Sequence, residues 1–531
     1  MPFAMPTPES DQRTLPQVVA ATARALPERV AISDGPVSLT YAELDAARLR
    51  AAAAFLAAGL AHGERIAIWA PNMWQWIVAA MGAQTIGGVL VPLNTRLKGA
   101  EAGFILRRSG ARWLFTVGEF LGMCYPAMVA HEDLPDLQGT VLFDGESAGT
   151  QAWSEFLARG DAVDPAAVEA RASQLTPDDT LDILFTSGTT GQPKGVVTSH
   201  GQNIRAFSTW SATVGLSSDD NYLIINPFFH SFGYKAGWLA ATICGARMLP
   251  VKQFDLDAVL SQIHRDRVSV IPGPPTIYQS LLSHPQRGEY DLSSLRLAVT
   301  GAAPVPVSLI EKMRSELGFQ VVVTAYGLTE SCGVISICRP EDSAERISHS
   351  SGRAMAGVEM KCVDANGATV AAGTEGEIWC RGYNVMQCYL DNPEETARTI
   401  TADGWLKTGD VGVMDEDGYV RITDRIKDMF IVGGFNCYPA EIENSLHSMP
   451  GVTRAAVIGV PDERMGEVAC AWIVPAAGAQ LDEAAVIAWS REHMANYKVP
   501  RVVRLVPELP MNAGGKVLKN ELRQRMAAER G

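Results

Sequence analysis

The 531-residue sequence has no C-x-x-C pair, and its nine cysteines form an odd set scattered from Cys124 to Cys470. Without paired spacings there is no disulfide framework to read, and the thiols are expected to be reduced and mostly buried, as in a cytoplasmic protein. Positive charge is also scarce. The formal net charge is −14, which argues against nucleic acid or an anionic membrane as the main partner. No apolar run is long enough to span a bilayer, and the most apolar early stretch, "AAAAFLAAGLAHG", is alanine-rich and suits a buried helix. The opening "MPFAMPTPESDQRTLPQ" lacks the basic-then-apolar order of a secretory signal. A soluble protein without a transmembrane segment is expected. Internal repeats are absent, and the length is too great for one simple core, giving roughly three or four structural units.

What is present is concentrated in short stretches. "TSGTTGQPKG", residues 186–195, carries four side-chain hydroxyls, three glycines and one lysine. It follows the apolar, β-prone "LDILF", so it is expected to leave the carboxyl end of a buried strand as a loop. Bare backbone N–H groups, hydroxyl donors and a cation together suit a polyanion such as a phosphate chain. An acidic protein must gather its useful cations in such places.

Helix and strand alternate through the first several hundred residues. "TYAELDAARLRAAAAFLAAGL" begins with a capping box, Thr40 and Glu43. "RIAIWAPN" reads as a strand, "MWQWIVAAMGAQTIGG" as a helix ending in glycines, and "VLVPLN" as the next strand. "NYLIINPFFHSFG", "VSVIPGPPTIYQSLL" and "LRLAVTGAAPVP" each pair an apolar strand with a Pro/Gly-rich loop. The fold class expected is a large α/β N-terminal domain with doubly wound, mainly parallel sheets. From about Ser350, short strands and Gly-containing turns predict a small antiparallel or barrel-like unit. A smaller α+β domain of about a hundred residues follows. The boundary is placed at 424/425, giving domains 1–424 and 425–531.

The Walker-type phosphate loop needs G-x-x-x-x-G-K-[ST]; here Lys194 follows Pro193 and no Ser or Thr follows it, so that motif fails. The stretch instead resembles the phosphate loop of the adenylate-forming superfamily, which includes acyl-CoA synthetases, aryl-CoA ligases, beetle luciferases and peptide-synthetase adenylation domains. Further signatures follow in family order over nearly the whole chain: "PFFHSFG", "GAAPV", "AYGLTES", "GWLKTGDVG", "DRIKDMFIVGGFNCYPAEIE" and "NAGGKVLKNELR". The resemblance implies that a carboxylate attacks the α-phosphorus of ATP, and that the acyl-adenylate then passes to coenzyme A. It implies ATP, Mg²⁺ and coenzyme A as cofactors, with a mobile C-terminal lid rotating between the two half-reactions.

Residue by residue, the resemblance assigns Thr186, Ser187, Gly188, Thr189, Thr190, Gly191 and Lys194 to the β- and γ-phosphates. Gly301, Ala302 and Ala303 would form a flat wall against adenine, with Thr324, Ala325, Tyr326 and Gly327 completing that side and Tyr326 stacking on the ring. Thr329 would contact the α-phosphate and Glu330 would reach Mg²⁺. Asp410 would accept both ribose hydroxyls, beside Ile422 and Arg425, and Arg425 would also reach ribose or phosphate. Lys427 occupies the hinge position, Gly433 and Gly434 would line the pantetheine tunnel, and Lys516 would bridge the incoming carboxylate and the α-phosphate.

His230 stands where CoA ligases carry an aromatic or histidine near the acyl carboxylate. No aspartate for a substrate ammonium stands in this region, and no carrier-protein serine segment follows Arg523, so a CoA ligase is favoured over an amino-acid adenylating domain. His230, Phe232, Tyr234, Gly327 and Val334 are the expected acyl pocket, mostly apolar, which suits a bulky hydrophobic acid. "HSFGYKAGW" and "PGPPTIYQSLLSHP" are similar to bacterial ligases for steroid-derived or terpenoid ring-bearing acids. Lys235 reads either as a solvated lysine or as the partner of a distal polar group on such an acid. Cys388 and Gly514 depart from the residues common in the family at those places. Other readings are a medium- or long-chain fatty acyl-CoA synthetase, a luciferase-like oxygenase, an adenylating enzyme with a different acceptor, and a catalytically silent nucleotide-binding scaffold.

Overall fold

The helix Tyr41–Ala57 starts where its capping box predicts: the Thr40 side chain accepts from the Glu43 N–H, and Glu43 Oε2 accepts from the Thr40 N–H at 2.8 Å. Its alanine face is buried, with Ala51, Ala52, Ala54 and Phe55 fully enclosed. The helix Trp74–Thr85 packs against it at Gly82, where an added Cβ would fall 2.5 Å from Ala51 Cβ. Small residues therefore set how closely these helices approach. The computed structural model describes residues 13–186, 193–301, 305–425, 428, 430–432, 435–437, 439–462, 464–494, 496–511 and 517–530.

The described chain divides into two compact units, the first spanning residues 1–360 and 380–406 and the second residues 361–379 and 407–531. In the first unit a nine-stranded and an eight-stranded sheet carry the α/β pattern. In the nine-stranded sheet Asn221–Ile224, Val270–Pro272, Leu297–Thr300 and Val321–Tyr326 are successive parallel neighbours. These strands are short and buried on both faces, as parallel strands covered by helices must be. Because they run the same way, the loops after all four leave from one edge, the place where such sheets bind ligands. In the eight-stranded sheet Arg65–Trp69 lies between Val89–Pro92 and Ala111–Thr116, all parallel. Thr180–Thr186 joins the same sheet and turns back into Lys194–Ser199 as an antiparallel pair. The hydroxyl-rich stretch thus links two strands of a hairpin.

In the second unit, Leu406–Met414 pairs antiparallel with Val420–Arg425. Farther on, Val452–Asp462 and Gly466–Pro475 form a long antiparallel ladder, with Val502–Leu505 parallel to the latter. Alternation along this ladder buries both faces. Ala455, Val457, Ala469 and Ala471 pack with Ile442, Leu446 and Val486 on one side. Ala456, Ile458, Cys470 and Trp472 pack with Leu522 and Met526 on the other. The helix Lys519–Arg530 is therefore held by apolar contacts on its sheet-facing side.

All nine cysteines are free; seven are buried, Cys388 is half-buried and Cys124 exposed, as the sequence predicts. Lys235 is not solvated. It is fully buried, with Nζ 3.2 Å from Asp182 Oδ1 and donating to Thr198 Oγ1 at 3.0 Å. The solvated reading fails because the helical turn Tyr234–Leu239 points this side chain into the sheet, where only a carboxylate partner makes its burial tolerable.

His200 is a second buried titratable group. Its Nδ1 accepts from the Leu15 N–H at 3.1 Å, Nε2 has no hydrogen-bond partner among the described residues, and burial pushes its pKa down from 6.5 to about 4. As pH falls below 6.5 the unfolded chain takes up this proton first, so the stability contribution is full near neutrality and lost towards pH 4. Between pH 7 and pH 5 the expected loss is about 2 kcal/mol. Urea unfolding at the two pH values should show that loss in the native protein and a smaller one in His200→Gln. Equal losses in both would contradict it.

Candidate active site

The four parallel strand ends bring Gly301, Thr324, Ala325, Tyr326 and Gly327 onto one edge of the first unit. Gly301 follows Leu297–Thr300, and a Cβ there would meet the Ala325 carbonyl oxygen at 3.0 Å, so the two neighbouring chains present a flat surface. Tyr326 ends its strand nearly buried. Thr324, two residues earlier, turns its hydroxyl to the carbonyls of Ile347 and Ser350 at 3.2 and 3.0 Å. After Tyr326 the chain folds back on itself. A Cβ at Gly327 would lie 2.4 Å from both the Gly333 carbonyl oxygen and Val334 Cα, so only glycine fits. Gly333, at φ +99°, in turn approaches Ser231. The loop after Val321–Tyr326 is thereby packed against the loop that carries His230.

His230 caps the short helix Ser231–Gly233, its Nδ1 accepting from the Phe232 N–H at 3.1 Å. That bond places the ring proton on Nε2 in the neutral form. Solvent reaches the residue, yet protein encloses it on most sides, and the lost hydration lowers its pKa. This combination suits a concave site. Tyr234 is fully buried, stacked on Trp238 at 4.8 Å, and its hydroxyl accepts from Gln84 Nε2 at 3.1 Å. Val334 is buried and Phe232 half-buried.

Thr329 and Glu330 lie in the short turn Thr329–Ser331. Among the described residues the Thr329 hydroxyl has no hydrogen-bond partner. Glu330 is held twice by the segment 386–389: its carbonyl accepts from the Met386 N–H and its Oε1 from the Tyr389 hydroxyl, both at 2.8 Å. Burial, with the Glu330 carboxylate next, pushes the Tyr389 phenol pKa well up, so it remains a donor. The opposite part of Tyr389 receives Lys194, whose Nζ sits 4.8 Å from the ring centroid. Lys194 Nζ also lies 2.6 Å from Glu395 Oε1, and it holds that carboxyl below the usual range. Thr186 and Lys194 are paired across the hairpin, and Val196 is paired with Tyr389. A cavity of about 440 Å³ opens beside Lys194, Tyr389, Asn392, Glu395 and Arg108. A larger concavity of about 650 Å³, near Asp34, Leu121 and Lys252, contains none of the expected site residues.

Neither Tyr389 nor Glu395 stands out in the sequence. Asn392, Pro393 and Glu395 read as a helix start, and Asn392 Oδ1 does accept from the Glu395 N–H at 3.1 Å. Glu395 Oε1, however, reaches Lys194, while Oε2 stays 3.4 Å from Arg398 of its own helix. The only local signal was an aromatic residue just before the Asn-Pro helix start.

In the second unit Asp410 is buried, and its N–H donates to Thr408 Oγ1 at 3.1 Å. Its backbone is paired with Arg425, and Ile422 pairs with Gly412 on the same two strands. Met511 and Val517 form an antiparallel bridge. Ser187, Gly188, Thr189, Thr190, Gly191, Ala302, Ala303, Lys427, Gly433, Gly434 and Lys516 lie outside the described residues, as does the Arg425 side chain. Among the described residues no three His, Cys, Asp or Glu side chains gather as a metal cage, and no helix is long and apolar enough to cross a membrane.

Comparison with known proteins closes the question of family. Residues 19–390 match the AMP-binding enzyme family, and residues 441–516 match the AMP-binding enzyme C-terminal domain. The chain is 51% identical over 516 residues to a 3-[(3aS,4S,7aS)-7a-methyl-1,5-dioxo-octahydro-1H-inden-4-yl]propanoyl:CoA ligase of Mycobacterium tuberculosis, covering 97% of this chain and 99% of the relative. It is 48% identical over 517 residues to the ligase of the same name from Rhodococcus jostii, covering 96% and 98%. Among solved structures, the anthranilate CoA ligase AuaEII in complex with anthranoyl-AMP superposes with a TM-score of 0.84 at 27% identity, covering 98% of both chains. With two family domains in order and half the residues shared with named CoA ligases, the chain belongs to the adenylate-forming AMP-binding enzymes, on their acyl-CoA synthetase branch.

Proposed function

We propose that the protein ligates coenzyme A to a bulky, ring-bearing hydrophobic carboxylic acid, a propanoate on a fused bicyclic ketone being the leading candidate. The observation that carries this reading is the 51% and 48% identity, over nearly full length, to two ligases named for that acid. A carboxylate oxygen attacks the α-phosphorus of ATP and pyrophosphate leaves. The thiol of coenzyme A then attacks the acyl carbonyl of the adenylate, AMP leaves, and the thiol proton passes to solvent.

The residues present suit these tasks. Residues 186–191 and Lys194 receive the β- and γ-phosphates; Lys194 is a cation already poised against a displaceable carboxylate. The Thr329 hydroxyl serves the α-phosphate. Gly301 to Ala303 and residues 324–327 take the adenine, and Asp410 with Ile422 and Arg425 takes the ribose. His230 donates from Nε2 to the acid, with Phe232, Gly327 and Val334 around the acyl body and Tyr234 backing them. Glu330 fits a magnesium ion: Oε1 is fixed by Tyr389 while Oε2 has no partner among the described residues. One carboxylate plus substrate phosphates is the ligand set expected of Mg²⁺. When bound, the ion would neutralise phosphate charge. Lys516 brings the incoming carboxylate and the α-phosphate together. Lys427 is the hinge, just after the 424/425 boundary, and Gly433 and Gly434 leave room for pantetheine.

A panel of the bicyclic propanoate, fatty acids, aryl acids and acetate, read by thioester formation, tests the substrate class. The bicyclic acid should exceed the others in kcat/KM by at least about tenfold. Preference for acetate or simple benzoates would overturn it, and preference for straight chains would support a fatty acyl-CoA synthetase.

A further inference from the structure

We propose that Tyr389 is a positioning residue that makes Glu330 and Lys194 act as one unit towards metal-bound ATP. The inference rests on the reading of Glu330 as a metal ligand and Lys194 as a phosphate cation, and deepens it. One aromatic side chain touches both groups: its hydroxyl donates to Glu330 Oε1 at 2.8 Å, and its ring lies 4.8 Å from Lys194 Nζ. Tyr389 is itself nearly buried and fixed by the strand pairing of Val196 with its backbone. Its N–H donates to Thr396 Oγ1 at 3.0 Å, so the ring has little freedom to follow either partner.

The chemistry explains why such a bridge is useful. Glu330 and Lys194 have opposite charges and, left alone, each would be drawn to the wrong neighbour. Glu395 already shows this, pairing with Lys194 at 2.6 Å. A phenol offers Glu330 a neutral donor, which fixes one carboxylate oxygen without supplying a competing cation and leaves the other oxygen for the metal. The ring face meanwhile attracts the ammonium without neutralising it, so Lys194 offers its charge to an incoming phosphate once Glu395 is displaced. The Met386 N–H bond to the Glu330 carbonyl fixes the same turn from the backbone side.

The test is binding of ATP without acid, by titration calorimetry, in excess magnesium and in excess chelator. The native protein should gain affinity from magnesium. Tyr389→Phe keeps the ring and loses only the hydroxyl, so its metal-free Kd should stay within about twofold of native while most of the magnesium gain, about tenfold, disappears. Adding Tyr389→Phe to Glu330→Gln should remove no further magnesium gain, because the phenol acts through the carboxylate charge that Glu330→Gln has already taken away. Tyr389→Leu should also weaken metal-free binding, since Lys194 loses its platform. Equal weakening of Tyr389→Phe with and without magnesium would mark a merely structural role and overturn the inference. So would additive effects in the double variant. If Glu330→Gln itself retained the whole magnesium gain, the metal reading beneath the inference would fall, and this outcome is distinct from the other two.

Discussion

Lys516→Ala is expected to slow adenylation by about a hundredfold or more, about 3 kcal/mol in the barrier, while thioester formation from presynthesised acyl-adenylate suffers far less. A carboxylate and an α-phosphate repel one another, and only a cation placed between them at the moment of attack lowers that cost without also stabilising the separated reactants. The second half-reaction brings a thiol to an acyl carbonyl and has no such pair of anions to join. The two flanks of this lysine's segment are well anchored: Met511 and Val517 pair with each other and pack beside Leu522 and Met526. Loss of the ammonium should therefore leave the fold of the second unit intact. Separate measurement of pyrophosphate release from ATP and of thioester formation from the adenylate decides it, and equal losses in both would refute the role.

Lys235→Ala is expected to destabilise the first unit by about 3–5 kcal/mol, because it strands a buried carboxylate. Asp182 sits in the middle of Thr180–Thr186 with no exposure; Thr198 Oγ1 donates to its Oδ1 at 2.6 Å, and Lys235 Nζ lies 3.2 Å from the same oxygen. Asp182 Oδ2 has no hydrogen-bond partner among the described residues. Removing the cation thus leaves a buried charge with only the hydroxyls of Thr198 and Tyr234 beside it. Asp182→Asn/Lys235→Met removes both charges and should recover most of the loss, since the pair's attraction and its desolvation cost largely offset each other. Urea unfolding of the three proteins tests this. A loss below about 1 kcal/mol in Lys235→Ala would mean water reaches the pair after all. The double variant should also keep the native order of preference among acids, as expected if Lys235 never meets the acid.

How far the sequence reveals this molecule depends on the distance over which each feature is decided. The capping box at Thr40 and the strand "LAVT" leading into Gly301 are local, and each forms as its pattern predicts. The site motifs are equally local, so roles for Tyr326, Thr329 and Glu330 can be proposed from their neighbours in the chain. Those of Tyr389 and Lys235 cannot. Tyr389 matters because it pairs with Val196 and reaches Glu330, and Lys235 because a buried aspartate on another strand faces it. Nothing in the spacing of either segment encodes those partners. Glu395 is the sharpest case: its local role, the third residue of a capped helix, is real, yet its side chain serves Lys194, 201 positions away.

The central claim is that two negative groups are joined here through an adenylate. It is tested most directly by acid-dependent exchange of labelled pyrophosphate into ATP, in magnesium and without coenzyme A. The bicyclic propanoate should drive the exchange, and later addition of coenzyme A should release AMP and consume the exchanging intermediate. Purified protein that supports no exchange with any acid of the panel would contradict the account.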